Sequence, residues 1–333
     1  MTDLGYLPLF QVKVGNTEEL RFFYEAVLPG LEKQNIHSAV VTGKEGECCG
    51  RLPVSSWLMG VSSTLYIGMR GQDPFTLLPD LFRHVDIIFC LDEESAVDST
   101  FHSFPFPVAD FLDNEQGAIK YLVDIASSGI QQREIWACIL IGGKSSRMGQ
   151  PKHLLPHHDG RSWLERNIAL IQDKVAGVAI SGKGDLPPCL QHHLRLQDVP
   201  GVQGPLTGLI SATRWMPNVS WLVFACDLPM VSAEAIDWLI GDRRPGCWAK
   251  IPTLRGQQRG EPLLARYEPQ CGPLFETMAR SGNFSLHRIF SNNKVDLAEV
   301  PAPLEQSWRN VNTPSELEEL KRGMSHVRDG KTS

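Results

Sequence analysis

Ile135-Trp136-Ala137-Cys138-Ile139-Leu140-Ile141-Gly142-Gly143-Lys144-Ser145-Ser146-Arg147-Met148-Gly149-Gln150-Pro151-Lys152 runs from an unbroken apolar stretch into a glycine-opened loop that closes on a lysine. The apolar stretch reads as a strand buried on both faces, the kind found in parallel sheets. A loop leaving the carboxyl end of such a strand lies where open α/β sheets bind ligands. Gly142 and Gly143 let the backbone approach a ligand closely, and successive N–H groups there can converge on an anion. Arg147 and Lys152 add positive charge where phosphate oxygens would lie. A Walker A loop is excluded by spacing. It needs Gly-x-x-x-x-Gly-Lys-Ser/Thr with a helix starting at the lysine, whereas the glycine pair here precedes Lys152 by nine residues, and Pro151 and Pro156 oppose an immediate helix.

Downstream of this loop, strand and helix patterns alternate: strand 135–141, helix 162–172, strand 176–181, strand 194–197, helix 205–215, strand 220–226 and helix 233–240. Such alternation predicts a mostly parallel sheet with helices on both faces. Gly246–Leu254 and Glu261–Tyr267 read as a two-stranded excursion, followed by helices near 272–280 and 285–291 and a strand at 295–300. Thr313 as N-cap, Pro314 at the first helical position and Glu316 three residues after the cap predict a final helix to about Lys321, with a fraying tail over 323–333. Upstream, a separate alternation is expected: strand 8–14, helix 17–34, strands 38–42 and 64–69, helix 75–83, strand 85–91 and helix 114–126. Small polar residues over Ser127–Arg133 mark the break between the two. The expectation is therefore two α/β domains, 1–130 and 131–322, with a flexible tail at 323–333.

Composition narrows the function. The chain has 333 residues, 42% of them hydrophobic, enough for two domains with their own cores. Net charge is −6 and no basic block exceeds Arg243-Arg244, which disfavours broad binding to nucleic acid or a membrane surface. No stretch of eighteen apolar residues occurs and the start lacks the features of a secretory signal, so a cytoplasmic location is expected. The eight cysteines show no Cys-x-x-Cys spacing, and several lie inside apolar runs, as buried free thiols do.

Three places could carry chemistry beside the loop. Asp227 ends the apolar strand Trp221–Cys226 and is followed by Leu228-Pro229, at the same carboxyl edge as the glycine loop; a carboxylate there can hold Mg²⁺, or simply cap the next turn. Asp198 precedes the glycine-rich stretch 201–208; it can accept from a ring N–H and an exocyclic amine together, a donor pair that only guanine offers, or serve as a turn residue. Asp185, flanked by Gly184 and Pro187, has a weaker claim. Asn310 and Asn312 flank Val311, so an extended chain sends both amides to one face, suited to a metal, a phosphate, a second substrate or turn capping. No serine, cysteine or lysine has the surroundings of a covalent nucleophile. An acceptor that is itself a phosphate monoester is already anionic at neutral pH and needs no strong base.

The glycine loop, Gly204-Pro205-Leu206-Thr207-Gly208, Cys226-Asp227-Leu228-Pro229, Glu261-Pro262-Leu263 and Asn310-Val311-Asn312-Thr313-Pro314 occur in the order found in molybdenum cofactor guanylyltransferases of the MobA type, which residues 134–322 resemble. The resemblance implies a Rossmann-like, nucleotidyltransferase-type sheet that transfers GMP from GTP to molybdopterin with Mg²⁺. Leu140, Ile141, Gly142 and Lys152 would meet the nucleotide, Asp198 the guanine, and Asp227 both GTP and Mg²⁺; beside these, the residues themselves make Gly143 a candidate for the nucleotide and Asn310 and Asn312 candidates for the second substrate. Lys152, Arg147 and Asp227 would carry catalysis, and molybdoenzymes or their chaperones are implied as partners. The chain departs from that pattern at Ser181-Gly182-Lys183, where the family often has Ser-Ala-Asn, and at Ile141, usually alanine. In the related cytidylyltransferases the loop reads Leu-Ala-Ala-Gly, so Gly142 favours guanine over cytosine. Residues 8–126 more weakly resemble the MobB-type GTP-binding adaptor, with a smaller P-loop-like α/β domain implied. Its phosphate loop is missing, because Thr17-Glu18-Glu19-Leu20-Arg21 follows Val14-Gly15-Asn16. That half is expected to be a nucleotide-free docking or dimerisation module.

Overall fold

The computed structural model describes residues 7–42, 64–68, 85–91, 103–142, 151–157, 159–257 and 259–329. Arg147 and Gly143 lie outside the described residues, as do Cys48, Cys49 and the expected helix 75–83. Two compact units are present: Met1–Arg133 with Arg243–Trp248, and Glu134–Asp242 with Ala249–Ser333.

In the first unit, β1 (Leu9–Lys13), β2 (Ser38–Thr42), β3 (Thr64–Gly68), β4 (Ile87–Cys90) and β5 (Ser103–Pro107) form a sheet in the order β3-β2-β4-β1-β5. All its pairings are parallel. Its core is aromatic, with Phe10, Phe23, Phe89 and Phe106 all buried. β5 is absent from the sequence reading because Pro105 and Pro107 break its pattern; the strand lies at the sheet edge, where proline's missing N–H is tolerated. The expected helix 17–34 is a helical run in three parts, Thr17–Phe22, a π-helical turn Phe23–Val27, and Leu28–Lys33. Pro29 cannot donate to a regular helical ladder, and the wider turn just before it accommodates the break.

The helix Glu115–Gln132 runs through the stretch expected to be a linker. Its buried face, Ala118, Ile119, Leu122, Ala126 and Ile130, keeps helical spacing to the end, so Ser128 and Gly129 are solvent-facing helix residues rather than loop.

The second unit is a seven-stranded sheet built from β6 (Ile135–Leu140), β7 (Gly177–Ser181), β8 (Leu194–Leu196), β9 (Ser220–Ala225), β10 (Ala249–Thr253), β11 (Leu264–Tyr267) and β12 (Val295–Glu299). The order is β12-β10-β11-β9-β6-β7-β8. β9, β6, β7 and β8 are mutually parallel. β11 pairs antiparallel with both β9 and β10, so residues 249–267 are integral to the main sheet and not the separate excursion their sequence suggests. Each strand could pair with either neighbour, and burial decided the matter: all four β11 residues are buried, as a central strand requires.

Helices Trp163–Ile171, Leu206–Trp215 and Ala233–Ile240 connect the parallel strands. Ser162 and Glu165 form a reciprocal capping box at the first. The final helix spans Pro314–Asp329, past the expected end at Lys321 and into the expected tail. Leu320 is buried in a cluster with Leu155, Trp163 and Val311, which anchors it, and no proline follows Pro314 to stop it. No described helix is long and apolar enough to cross a membrane.

Phe224 is fully buried at the centre of the second core. Phe224→Ala is expected to destabilise that unit by about 3–5 kcal/mol, read as an earlier midpoint of its transition in urea.

Candidate active site

Register sets the site. Leu140 of β6 pairs with Ala225 of β9 and with Ser181 of β7, and Ser181 pairs with Leu196 of β8, so four strand ends form one row. Two residues beyond that row stand Asp227, Gly142, Lys183 and Asp198, in that order along the carboxyl edge. The pairing persists past the strand ends, with Cys226 N–H donating to Leu140 C=O (3.1 Å) and Ile141 N–H to Ser181 C=O (2.9 Å). All four residues line a cavity of about 600 Å³, with Leu140, Ile141, Lys152, Thr207 and Leu263 among its other walls.

At one end of the cavity, Lys152 Nζ donates to Asp227 Oδ2 at 2.9 Å and to Asn312 Oδ1 at 2.7 Å. Both charged side chains are largely enclosed, 15% and 21% exposed. Lys152 sits on a short 3₁₀ turn, Lys152–Leu154, compatible with the prolines on either side. Asn312 is carried there because Val311 is buried and its N–H donates to Asp227 C=O at 3.1 Å. The helix that follows starts with the expected capping box: Glu316 N–H donates to Thr313 Oγ1 and Thr313 N–H to Glu316 Oε2, both at 3.2 Å. The Asn312 N–H also donates to this carboxylate, which is held below the usual carboxylate range chiefly by that bond. Neither asparagine is among the residues lining the cavity, but Asn312 accepts from Lys152 while Asn310 is exposed.

The segment after β7 is pinned from behind. Arg195 donates to the carbonyls of Gly182 (2.6 Å) and Gly184 (2.9 Å). Gly182 and Gly184 have φ of +113° and +140°, where side chains are strained. A Cβ on Gly182 would stand 2.6 Å from the Gly142 nitrogen, and one on Gly184 would stand 2.9 Å from His153 Cε1. The buried His153 donates from Nε2 to Asp185 C=O at 2.8 Å, and burial lowers its pKa. Asp185 thus contributes its backbone to loop support. Arg195 and His153 are the supports that sequence reading missed; the glycines flanking Lys183 were the available signal that something must approach this loop closely.

At the other end, Asp198 is half-buried, and its carboxylate makes no hydrogen bond among the described residues. Its position is set by neighbours: Ser211 Oγ donates to Gln197 C=O (2.5 Å) and Val199 N–H to Thr207 Oγ1 (2.6 Å). Gly208 lets the helix Leu206–Trp215 close on the strand ends, since a Cβ there would meet Leu140 Cδ2 at 2.5 Å. Ile141 lends its side chain to the hydrophobic core, which accounts for its bulk at a position where alanine is usual. Cys226 also lines the cavity, but burial and then the Asp227 charge push its thiol up to about 12, so it is neutral and no nucleophile.

A family model described as a MobA-like NTP transferase domain matches residues 137–296. Most of the second unit is thus similar to a MobA-like NTP transferase domain. Among relatives of this transferase domain, a probable molybdenum cofactor guanylyltransferase of Clostridium perfringens strain SM101 is 29% identical over 194 residues, 56% of this chain and 96% of that protein. One from Bacillus cytotoxicus is 24% identical over 195 residues, with the same coverage. Among solved structures, the molybdopterin-guanine dinucleotide biosynthesis protein A of Archaeoglobus fulgidus is 20% identical, with a TM-score of 0.46 over 57% of this chain and 99% of that one. The chain is thus an enzyme of the nucleotidyltransferase type.

Two glycines of the transferase cavity should respond oppositely to one methyl group. Gly182→Ala is expected to cost about 1–3 kcal/mol through backbone strain and to push Gly142 aside. In Gly142→Ala the new Cβ meets nothing nearer than 3.7 Å among the described residues, so unfolding in urea should be nearly unchanged.

Proposed function

We propose that the transferase domain moves GMP from GTP to the terminal phosphate of molybdopterin and releases pyrophosphate. The supporting observation is the convergence of Lys152 and Asp227 in one cavity that Asp198, without a partner among the described residues, also lines. The names of the relatives supply the two substrates, and the chemistry of the cavity suits them.

Asp198 accepts the N1–H and the 2-amino group of guanine together. The Gly142 backbone lies against the nucleotide, with room that an alanine would reduce. Lys152 leaves its apo partners for the phosphates, neutralising charge as the α-phosphorus is attacked. An acceptor phosphate oxygen forms a new P–O bond to that α-phosphorus while the bond to the β-phosphate breaks, and pyrophosphate departs with the electron pair. No general base is required, because the acceptor oxygen is already anionic, and catalysis consists of aligning two phosphates and offsetting their charge.

Asp227 is the group that would hold Mg²⁺. Among the described residues there is no cluster of three metal-ligating side chains, but magnesium is commonly bound by one or two carboxylates together with water and substrate phosphates, so a single carboxylate fits. When bound, the ion would draw charge from the phosphate oxygens. Arg147 is proposed as a further phosphate contact.

The first unit is proposed as a nucleotide-free docking module. Glu19 is buried, and its carboxylate accepts from Gly15 N–H (2.7 Å) and Asn16 Nδ2 (2.6 Å), filling with its own negative charge the place where a triphosphate would need donors. Molybdoenzymes or their chaperones are the partners proposed for it.

With purified full-length protein, pyrophosphate release should require GTP, molybdopterin and magnesium together, and chelation by EDTA should abolish it. Asp227→Ala and Lys152→Ala should each lower kcat about 100-fold or more. Turnover with CTP but not GTP would refute the base assignment.

A further inference from the structure

We propose that Lys183 reads the guanine base, donating from its ammonium to O6 while Asp198 accepts from N1 and the 2-amino group. The inference rests on the guanylyl-transfer reading and adds a specificity residue to it.

Position along the sheet edge argues first. Asp227, Gly142, Lys183 and Asp198 each come two residues after the paired row of β9, β6, β7 and β8, strands whose ends stand about 4.8 Å apart from one neighbour to the next. Lys183 therefore leaves the strand next to the one that carries Asp198, and two strands away from the one that carries Asp227. A nucleotide laid along this edge brings its base, not its triphosphate, past β7.

Chemistry argues second. Lys152 is engaged by Asp227 and Asn312, whereas Lys183 lines the same cavity, is exposed, and makes no ion pair or hydrogen bond among the described residues. Its free ammonium is not the product of a slack loop. The peptide units on both sides are clamped by Arg195, and the glycines flanking it are wedged against Gly142 and His153. A lysine presented from such a support supplies a donor at a defined place and pairs with the acceptor at Asp198.

That pair discriminates all four bases. Guanine offers an acceptor at O6 beside two donors. Adenine and cytosine present an amine where the lysine needs an acceptor. Uracil has the acceptor and one ring N–H, but lacks the second donor for Asp198. The lysine rejects two bases and the aspartate the third, each by leaving a charged group of the cavity without its partner.

Calorimetric binding of GTP, ITP and 6-thio-GTP to the full-length protein, unaltered and as Lys183→Met, tests this. The thio analogue keeps N1–H and the 2-amino group but carries sulfur, a weak acceptor, in place of O6; ITP keeps O6. The unaltered protein should bind 6-thio-GTP about ten- to a hundred-fold more weakly than GTP, the range of a charge-assisted hydrogen bond. Lys183→Met should weaken GTP and ITP by that factor and leave 6-thio-GTP unchanged. A common loss for all three would place the lysine on the phosphates and overturn the proposal, as would no loss for any. Failure of the unaltered protein to bind GTP would remove the guanylyl reading itself. Tight GTP binding without discrimination against the thio analogue would remove only the lysine assignment.

Discussion

The ion pair between Lys152 and Asp227 holds the transferase cavity together before any ligand arrives. It ties the turn that ends the glycine loop to the segment after β9, and Asn312 extends the tie to the entrance of the final helix. An enclosed charge without a partner is strongly unfavourable, so each side chain keeps the other positioned. In the proposed reaction these are also the two groups that a nucleotide and a magnesium ion would separate, one drawn to phosphate oxygen and the other to the cation. The same contact orients both groups towards the same space.

That tie works only because the strands beneath it are parallel. Parallel order brings the carboxyl ends of β9, β6, β7 and β8 to one edge, though their sequence positions span Ile135 to Ala225. Aligned register then turns four unrelated loops into one ordered set of contacts, with carboxylates at both ends and glycine and lysine between them. β11 contributes from the other side. Leu263, just before it, lines the cavity, and its carbonyl accepts from Ala225 N–H at 3.0 Å, fixing the β9 end from the antiparallel neighbour.

Much of this was legible in the residue order. Strands such as 135–140 and 220–225 are apolar runs bounded by glycine or by an acid, and burial on both faces leaves little else for them to be. Thr313-Pro314-x-Glu316 announces its helix through local hydrogen bonds alone. What escaped depends on partners distant in sequence. β5 has prolines that only an edge position excuses, and the serines and glycine of 127–129 hide a helix whose apolar face continues past them. Pairing of β11 between β9 and β10 follows from which neighbour covers it, information that no short window contains. The site divides likewise: Asp227 and Lys152 stand out beside their strand and loop, but the clamp of Arg195 on two carbonyls is visible only when β8 lies beside β7. Asn310 shows the converse error, since alternation put it on a face with Asn312 while burial of Val311 carried only the later amide to the lysine.

The two units make opposite electrostatic use of one layout. In each a glycine follows a parallel strand, Gly15 after β1 and Gly142 after β6. In the first unit the chain supplies an anion itself: Glu19 folds back onto Gly15 and Asn16, caps its own helix and closes the position to phosphate. In the transferase unit the corresponding edge keeps Lys183 and Asp198 without partners among the described residues, and engages Lys152 only through groups that a nucleotide can displace. Shared α/β class therefore says little about shared chemistry. A carboxylate three residues into a helix is enough to close such a turn to an anion and make it an ordinary cap.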